Sequence, residues 1–173
     1  MKTLIDHLGQ YAAYHRNPRN VFTHFIGIPM IVLAVTTLLA RPAIALGDGP
    51  MFLTPAIVVY VLSCLFYLRL SLAFGAAMAA ILAVFVAVGA WLAAMPDVVW
   101  LGAGIGLFVV GWIIQFVGHH YEGRKPAFVD DLAGLLIGPL FLVAETAFAL
   151  GFARRLRVAL GAATGATTGA HGH

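Results

Sequence analysis

Long apolar segments separated by short polar breaks set the pattern of this chain. Four of them reach about 20 residues, the length that an α-helix needs to cross a bilayer. They cover residues 18–40, 51–68, 72–95 and 98–122. Arginine, proline and glycine occupy the breaks, as is usual between helices. The pattern predicts an all-α protein with four transmembrane helices.

A shorter amphipathic segment precedes the first of these helices. Side chains recur at helical spacing along one face of residues 3–15, namely Leu4, Leu8, Tyr11 and His15. We therefore expect an N-terminal helix that lies at the membrane interface. Asn17 as the N-cap and Pro18 as the first helical residue then predict where the first transmembrane helix begins.

The last apolar segment allows two arrangements. Residues 132–152 are interrupted by Gly138 and Pro139 and contain Glu145. They form either a kinked fifth helix or a broken hairpin of two half-helices. With a cytoplasmic N-terminus, the hairpin places every Lys and Arg except Arg41 on the cytoplasmic side, which the positive-inside tendency favours. We predict a single membrane domain over residues 1–158 and a flexible Gly/Ala/Thr-rich tail over residues 159–173.

Composition excludes a soluble protein. Hydrophobic residues make up 62% of the chain, charged residues 10%, and the mean hydropathy is +0.97, so an integral membrane protein is indicated. The net charge of +3 comes from residues at helix ends and does not suggest nucleic acid. Cys64 is the single cysteine, so there is no disulfide framework. We expect a bacterial inner membrane, or the endoplasmic reticulum in a eukaryote.

Polar side chains interrupt the end of the fourth predicted helix. Gln115, His119 and Glu122 are spaced at i, i+4 and i+7 and therefore share one helix face. Gly123 supplies a helix stop just beyond them, and Pro126 prevents the helix from continuing. Ionisable groups within a membrane helix are costly, so this face is a candidate functional site.

Histidines mark two ends of the predicted bundle. His15 and His24 flank the start of the first transmembrane helix, and His119 and His120 end the fourth. With four crossings, both places lie on the same membrane face, so four histidines converge at one interfacial site. Imidazole together with carboxylate suits iron, zinc or copper, and open coordination positions suit Fe(II) and O₂ chemistry. The alternative is that these histidines only hydrogen-bond lipid headgroups and loop carbonyls.

Other polar residues have two interpretations each. Gln115 either packs between helices or orients a metal ligand. Glu122 either takes part in the site or forms an ion pair with Arg124 or Lys125. Glu145 lies in an apolar segment and needs a partner. Four basic residues either anchor the cytoplasmic face or bind a substrate carboxylate, namely Arg16, Arg19, Arg124 and Lys125.

Two motifs together carry a family resemblance. YHRNPRNVFTHFIGIP at residues 14–29 and GWIIQFVGHHYEGRKPAFVDDL at residues 111–132, followed by GPLFLVAE at 138–145, resemble the small membrane family of the fungal 2-hydroxy fatty acid dioxygenase. The resemblance covers about residues 4–157. It implies an Fe(II)-dependent enzyme of fatty acid α-oxidation that uses O₂ to shorten a 2-hydroxy acyl chain by one carbon.

The resemblance also implies site residues. The family histidines match His15, His24 and His119, and its acidic positions match Glu122 and Glu145. The fungal pattern has one more residue between the histidine and the basic segment before the proline, so His119 and His120 compete for one position. We expect the four histidines to hold Fe(II), and Gln115, Glu122 and Glu145 to serve in catalysis.

Three classes of function remain at this point. The first is the Fe(II)-dependent dioxygenase, with a long-chain 2-hydroxy fatty acid and O₂ as substrates and membrane lipids around it. The second is a non-enzymatic lipid-binding or scaffold protein, which needs no metal. A transporter ranks last, because the second and third predicted helices have almost no polar residues near the bilayer midplane.

Overall fold

The computed structural model describes residues 2–45, 52–123 and 133–169, with no side-chain detail for 52 and 163–169. Within these residues the fold is helical, apart from a two-residue antiparallel pairing of β1 with β2. The elements in chain order are α1 (Leu4–Tyr14), α2 (Pro18–Ala40), β1 (Ile44–Ala45), β2 (Phe52–Leu53), α3 (Pro55–Leu70), α4 (Leu72–Ala93), α5 (Asp97–Glu122), α6 (Gly134–Ala149) and α7 (Arg154–Gly169). The predicted all-α class is confirmed.

Local capping explains where the first helices begin. Thr3 and Asp6 form a reciprocal capping box at the start of α1, which satisfies two backbone N–H groups that the helix leaves free. Asn17 Oδ1 accepts a hydrogen bond from the backbone N of Arg19 at 2.9 Å, and Pro18 is the first residue of α2. The sequence prediction for this boundary is confirmed.

Within the described ranges, three helices are long and apolar enough to span a membrane, namely α2, α4 and α5. The second predicted span corresponds to α3, which has only 16 residues. At 1.5 Å per residue this helix is about 24 Å long, which is shorter than we expected. The bent pair α6 and α7 gives a fourth span if it is counted as one crossing. The apolar helices indicate a membrane protein, and the predicted count of four spans is confirmed only in part.

The turn in the C-terminal apolar segment lies later in the chain than the break that the sequence predicted at Gly138 and Pro139. Helix α6 continues through Pro139, whose missing N–H frees only the carbonyl of Leu135. The chain turns instead between α6 and α7, where Gly151 and Ala153 adopt positive φ angles of 82° and 53°. The two helix axes differ by 113°. The predicted Gly138–Pro139 break is therefore wrong, although a sharp reversal in this region is present.

The segment predicted as a flexible tail is helical as far as Gly169. Packing supplies the physical reason, because α7 contacts α1 and so gains stability that its Gly/Ala/Thr-rich composition does not provide. His171 and His173 lie outside the described residues.

The contacts divide the chain into two compact units, a finer division than the predicted single domain. The first comprises Met1–His24 and Phe116–His173, and the second comprises Phe25–Gln115. Helices α2 and α5 each contribute to both units. In the first unit, α1 packs against α6 and α7, and its core includes Leu8, Ile137 and Leu140.

Glycine permits close helix packing in the second unit. A Cβ atom on Gly27 would lie 2.9 Å from the carbonyl oxygen of Gly111, so α2 and α5 approach each other through their backbones.

Arg41 forms an ion pair with Asp97 at 2.6 Å. Helices α3 and α4 form an extensively packed pair.

Candidate metal centre

Three histidines from three helices meet in the first compact unit. His15 is the C-cap of α1, His24 lies in α2 and His119 lies near the end of α5. Their side chains are 5%, 2% and 6% exposed. One ring nitrogen from each lies within 4.8 Å of the other two. The spacing allows all three imidazoles to bind one metal ion.

The hydrogen bonds of two histidines fix which ring nitrogens are free. His15 Nδ1 lies 2.8 Å from the carbonyl oxygen of Tyr11, and His24 Nδ1 lies 2.8 Å from that of Asn20. A carbonyl oxygen only accepts, so both Nδ1 atoms carry the proton. Each neutral ring then presents an unprotonated Nε2, which is the form that binds a metal.

These two free nitrogens face each other. His15 Nε2 and His24 Nε2 are 3.0 Å apart. Because each ring carries its proton on Nδ1, neither Nε2 atom can donate a hydrogen bond. The two Nε2 lone pairs therefore face each other in a buried site. His119 Nδ1 is also buried, and no hydrogen-bond partner for it occurs among the described residues. A bound cation would satisfy all of these atoms, so the donor set fits a metal ion.

Burial keeps the site neutral. Desolvation lowers the pKa of His15 below its usual value, while its bond to the Tyr11 carbonyl and the nearby Glu122 carboxylate act in the opposite direction. The imidazole of His15 is therefore neutral at pH 7. Neutral histidines at this depth are poorly placed to bind lipid headgroups, which argues against the scaffold interpretation.

Aromatic rings form one wall of the cluster. The Tyr11 ring stacks on His15, with centroids 4.1 Å apart and an interplanar angle of 8°. Phe141 from α6 lies 5.0 Å from the Tyr11 ring and 6.0 Å from the His15 ring. These rings hold His15 in place and exclude water from one side of the histidines.

Glu122 ties the end of α5 to the junction between α1 and α2. Its two carboxylate oxygens accept hydrogen bonds from the backbone N of Arg16 at 3.0 Å, the backbone N of Asn17 at 2.9 Å and Asn20 Nδ2 at 3.0 Å. Asn17 Nδ2 also donates to the carbonyl oxygen of Tyr121. These contacts fix the segment that carries His15, while Arg124 and Lys125, the predicted ion-pair partners of Glu122, lie outside the described residues.

A glycine lets α2 and α5 approach closely enough for their histidines to meet. A Cβ atom on Gly118 would collide with the Thr23 hydroxyl and would lie 2.6 Å from Asn20 Oδ1. Gly118 precedes His119, and Asn20 lies one turn before His24. The missing side chain therefore allows the approach of the two helices at the level of the site.

Comparison with known proteins identifies the family of this chain. The family model described as 2-hydroxy-palmitic acid dioxygenase Mpo1-like matches residues 1–150. The chain belongs to this Mpo1-like family. It is 36% identical over 159 residues to the 2-hydroxy-palmitic acid dioxygenase MPO1 of Saccharomyces cerevisiae, which covers 91% of this chain and 87% of the relative. No solved structure matches the chain.

The structure separates the two neighbouring histidines of this Mpo1-like protein. His119 is buried in the cluster, whereas His120 is exposed and its ring lies 6.3 Å from that of Tyr121. Successive helical residues point about 100° apart, so only one of the pair can face α2. The fourth predicted histidine therefore lies outside the cluster.

The other predicted residues lie in different surroundings. Gln115 is buried and belongs to the second compact unit, and in the described part of the chain its Oε1 has no hydrogen-bond partner. Glu145 is half-buried on α6, where Arg157 of α7 interacts with it electrostatically. Arg16 and Arg19 are exposed, and the Arg19 guanidinium lies 5.5 Å from the Tyr121 ring centre. Arg124 and Lys125 lie outside the described residues.

Sequence reasoning missed three residues that support the site, namely Tyr11, Asn20 and Phe141. Two of them carry a usable signal, because Tyr11 and Asn20 each lie four residues before a cluster histidine and so share its helix face. Phe141 carries no such signal, since it reaches the histidines only through tertiary packing.

Proposed function

We propose that this member of the Mpo1-like family is an Fe(II)-dependent dioxygenase that shortens 2-hydroxy fatty acids by one carbon. The observation that carries the proposal is the opposed pair of unprotonated Nε2 atoms on His15 and His24, with buried His119 beside them. The name of the yeast relative supports the reaction and the substrate class.

Three neutral histidines would hold the iron. His15, His24 and His119 would supply three nitrogen ligands and would leave room beside them for O₂ and for the hydroxyl and carboxylate oxygens of the substrate. Fe(II), when bound, supplies the redox chemistry that activates O₂, which Zn(II) lacks. The backbone carbonyls that accept from the histidines fix their tautomers, and Glu122 holds the junction that carries His15 in place. The rings of Tyr11 and Phe141 exclude water from one side of the histidines.

The overall reaction balances without a reductant. A 2-hydroxy acid, R–CH(OH)–COOH, reacts with O₂ to give R–COOH, CO₂ and H₂O. The bond between C1 and C2 breaks, C2 is oxidised to the new carboxyl carbon, and C1 leaves as CO₂. The substrate supplies all four electrons that reduce O₂, so the protein needs no partner for electron transfer.

The basic residues have a role at the entrance in this proposal. Arg16 and Arg19 flank the junction that carries His15, and they bind the substrate carboxylate as it approaches, together with Arg124 and Lys125. With the N-terminus in the cytoplasm, the positive-inside tendency of Lys and Arg favours a site on the cytoplasmic face. Catalytic roles for Gln115 and Glu145 stay predictions, and Glu122 acts by positioning.

Product analysis tests the proposal. Purified protein with Fe(II) and O₂ should convert 2-hydroxypalmitate to the acid one carbon shorter, while Zn(II) or the absence of O₂ should abolish the conversion. Palmitate is the matched control substrate, and its lack of a hydroxyl should cost about four orders of magnitude in kcat/KM. Iron-loaded protein that leaves 2-hydroxy acids of several lengths unchanged would show that the substrate class is wrong.

A further inference from the structure

A groove of about 300 Å³ runs between α1, α6 and α7 in the first compact unit. Eight of the ten residues that line it are apolar or glycine, and the other two, Glu145 and Arg157, are charged. The volume is at the lower end of the range found for small-molecule sites. Neither the histidine cluster nor the arginines at the start of α2 contribute to its lining.

The lining residues form continuous stripes along two helices. On α6 they are Phe141, Ala144, Glu145 and Phe148, spaced so that they share one helix face. On α1, Leu8 and Ala12 are one turn apart. Because an α-helix rises 1.5 Å per residue, the stripe from Phe141 to Phe148 extends about 10 Å. The groove is therefore elongated along α6.

One end of the groove adjoins the histidine cluster. Phe141 lines the groove, and its ring lies 6.0 Å from the His15 ring. Ala12, on the α1 side, precedes His15 by three residues. A molecule held at the histidines by its polar end can therefore extend into the groove past Phe141.

We propose that this groove binds the acyl chain of the substrate. The inference rests on the proposed function, since it assigns the carboxyl end of a 2-hydroxy fatty acid to the histidines. An elongated apolar groove that begins beside the metal ligands matches an alkyl chain whose first two carbons bind there. The groove accommodates the part of the chain nearest the carboxyl group, and Ala149 lies at its far end.

Glu145 and Arg157 complete one side of the groove. They come from α6 and α7 and carry opposite charges that interact across the gap between the helices. Arg157 is exposed, so its aliphatic stem packs along the acyl chain while its guanidinium stays solvated. Their attraction links α6 to α7 on this side of the groove.

Photoaffinity labelling tests where the chain lies. The probe is a 2-hydroxy fatty acid with a diazirine at mid-chain, applied to the iron-loaded protein without O₂. Illumination should label α1, α6 or α7 at the groove, and excess 2-hydroxypalmitate should prevent it. Labelling confined to α3 and α4 would overturn the groove, whether or not 2-hydroxypalmitate is converted. Labelling in the groove by a protein that converts no 2-hydroxy acid would refute the dioxygenase proposal and retain the groove.

Filling the groove gives a second test that does not depend on the probe. Ala149→Phe should lower kcat/KM for 2-hydroxypalmitate by at least about tenfold. The phenyl ring would displace about two methylene groups of the acyl chain from apolar contact, and this loss corresponds to a change of that size. Conversion of 2-hydroxyoctanoate should change little. Val158→Phe is the matched control, because Val158 is exposed on α7 and does not line the groove. Equal effects on both chain lengths at full iron occupancy would contradict the assignment.

Discussion

The Nε2 atoms of His15 and His24 face each other at 3.0 Å, while their Nδ1 protons are donated to the carbonyls of Tyr11 and Asn20. The backbone thus selects the tautomer that exposes both Nε2 lone pairs to the same point. Such a pair is unfavourable in a buried site unless a cation lies against it. The three buried histidines could therefore bind a metal ion at this point.

Removal of a cluster histidine should release the metal. His24→Ala and His119→Ala should each lose most bound iron, because each removes a ligand nitrogen. His120→Ala is the matched control, since His120 is the exposed neighbour of His119 and should leave iron content unchanged. Metal analysis of protein that still elutes as a folded species in detergent measures the effect. Full iron content in His119→Ala would exclude this histidine as a ligand.

Replacing Glu122 should weaken metal binding without removing a ligand. Glu122→Ala deletes the acceptor of three hydrogen bonds at the junction that carries His15, and loss of such support lowers metal affinity by about 10- to 100-fold. Glu122→Gln keeps one acceptor oxygen and should fall between Ala and the native residue. Co(II) titration followed by its visible spectrum measures both affinity and ligand geometry. A wild-type spectrum and affinity for Glu122→Ala would contradict the positioning role.

Adding a side chain at Gly118 should separate α2 from α5 at the site. Even Gly118→Ala places a Cβ against Thr23 and Asn20, so the helices must shift and the distance between His24 and His119 must change. We expect lower iron affinity and a lower unfolding temperature. Gly106→Ala on α5 is the control, because a Cβ there meets nothing within 4 Å. Similar behaviour of the two variants would show that the close approach at Gly118 is dispensable.

Acid should release the metal and destabilise the metal-free protein. Burial lowers the pKa of His15 in the folded state, so the unfolded state, in which the pKa is about 6.5, binds the proton more readily. The contribution of His15 to the free energy of unfolding is therefore constant above about pH 6.5, and it decreases as the pH falls below that value. Thermal unfolding of metal-free wild type and His15→Gln at pH 7.5 and 5.5 measures the difference. The variant should lose less stability on acidification, and an equal loss would exclude His15 as its source.

The sequence was sufficient to predict α1, the long apolar helices α2, α4 and α5, and the meeting of distant histidines. The stripe through Leu8, Tyr11 and His15 predicted α1 and its buried face, because helical periodicity is a local property. The convergence of His24 with His119 followed from counting helices between them. The first inference depends on a few turns of helix, whereas the second depends on the number of membrane crossings between the two histidines.

Other features depend on tertiary packing and could not be predicted. Pro139 suggested a helix break, but α6 continues through it and the chain turns at Gly151 instead. Glu122 accepts hydrogen bonds from the backbone N–H groups of Arg16 and Asn17, about a hundred residues earlier in the chain, and no local pattern in the sequence indicates this. The choice between His119 and His120 required the orientation of α5 relative to the start of α2.

Reaction stoichiometry tests the central claim most directly. Iron-loaded protein should be given 2-hydroxypalmitate labelled at C1 with ¹³C, without added reductant, while O₂ uptake, labelled CO₂ and the shortened acid are measured together. The account predicts equal amounts of all three, because the substrate supplies every electron. Turnover that requires a reductant, or label retained in the acid product, would contradict it.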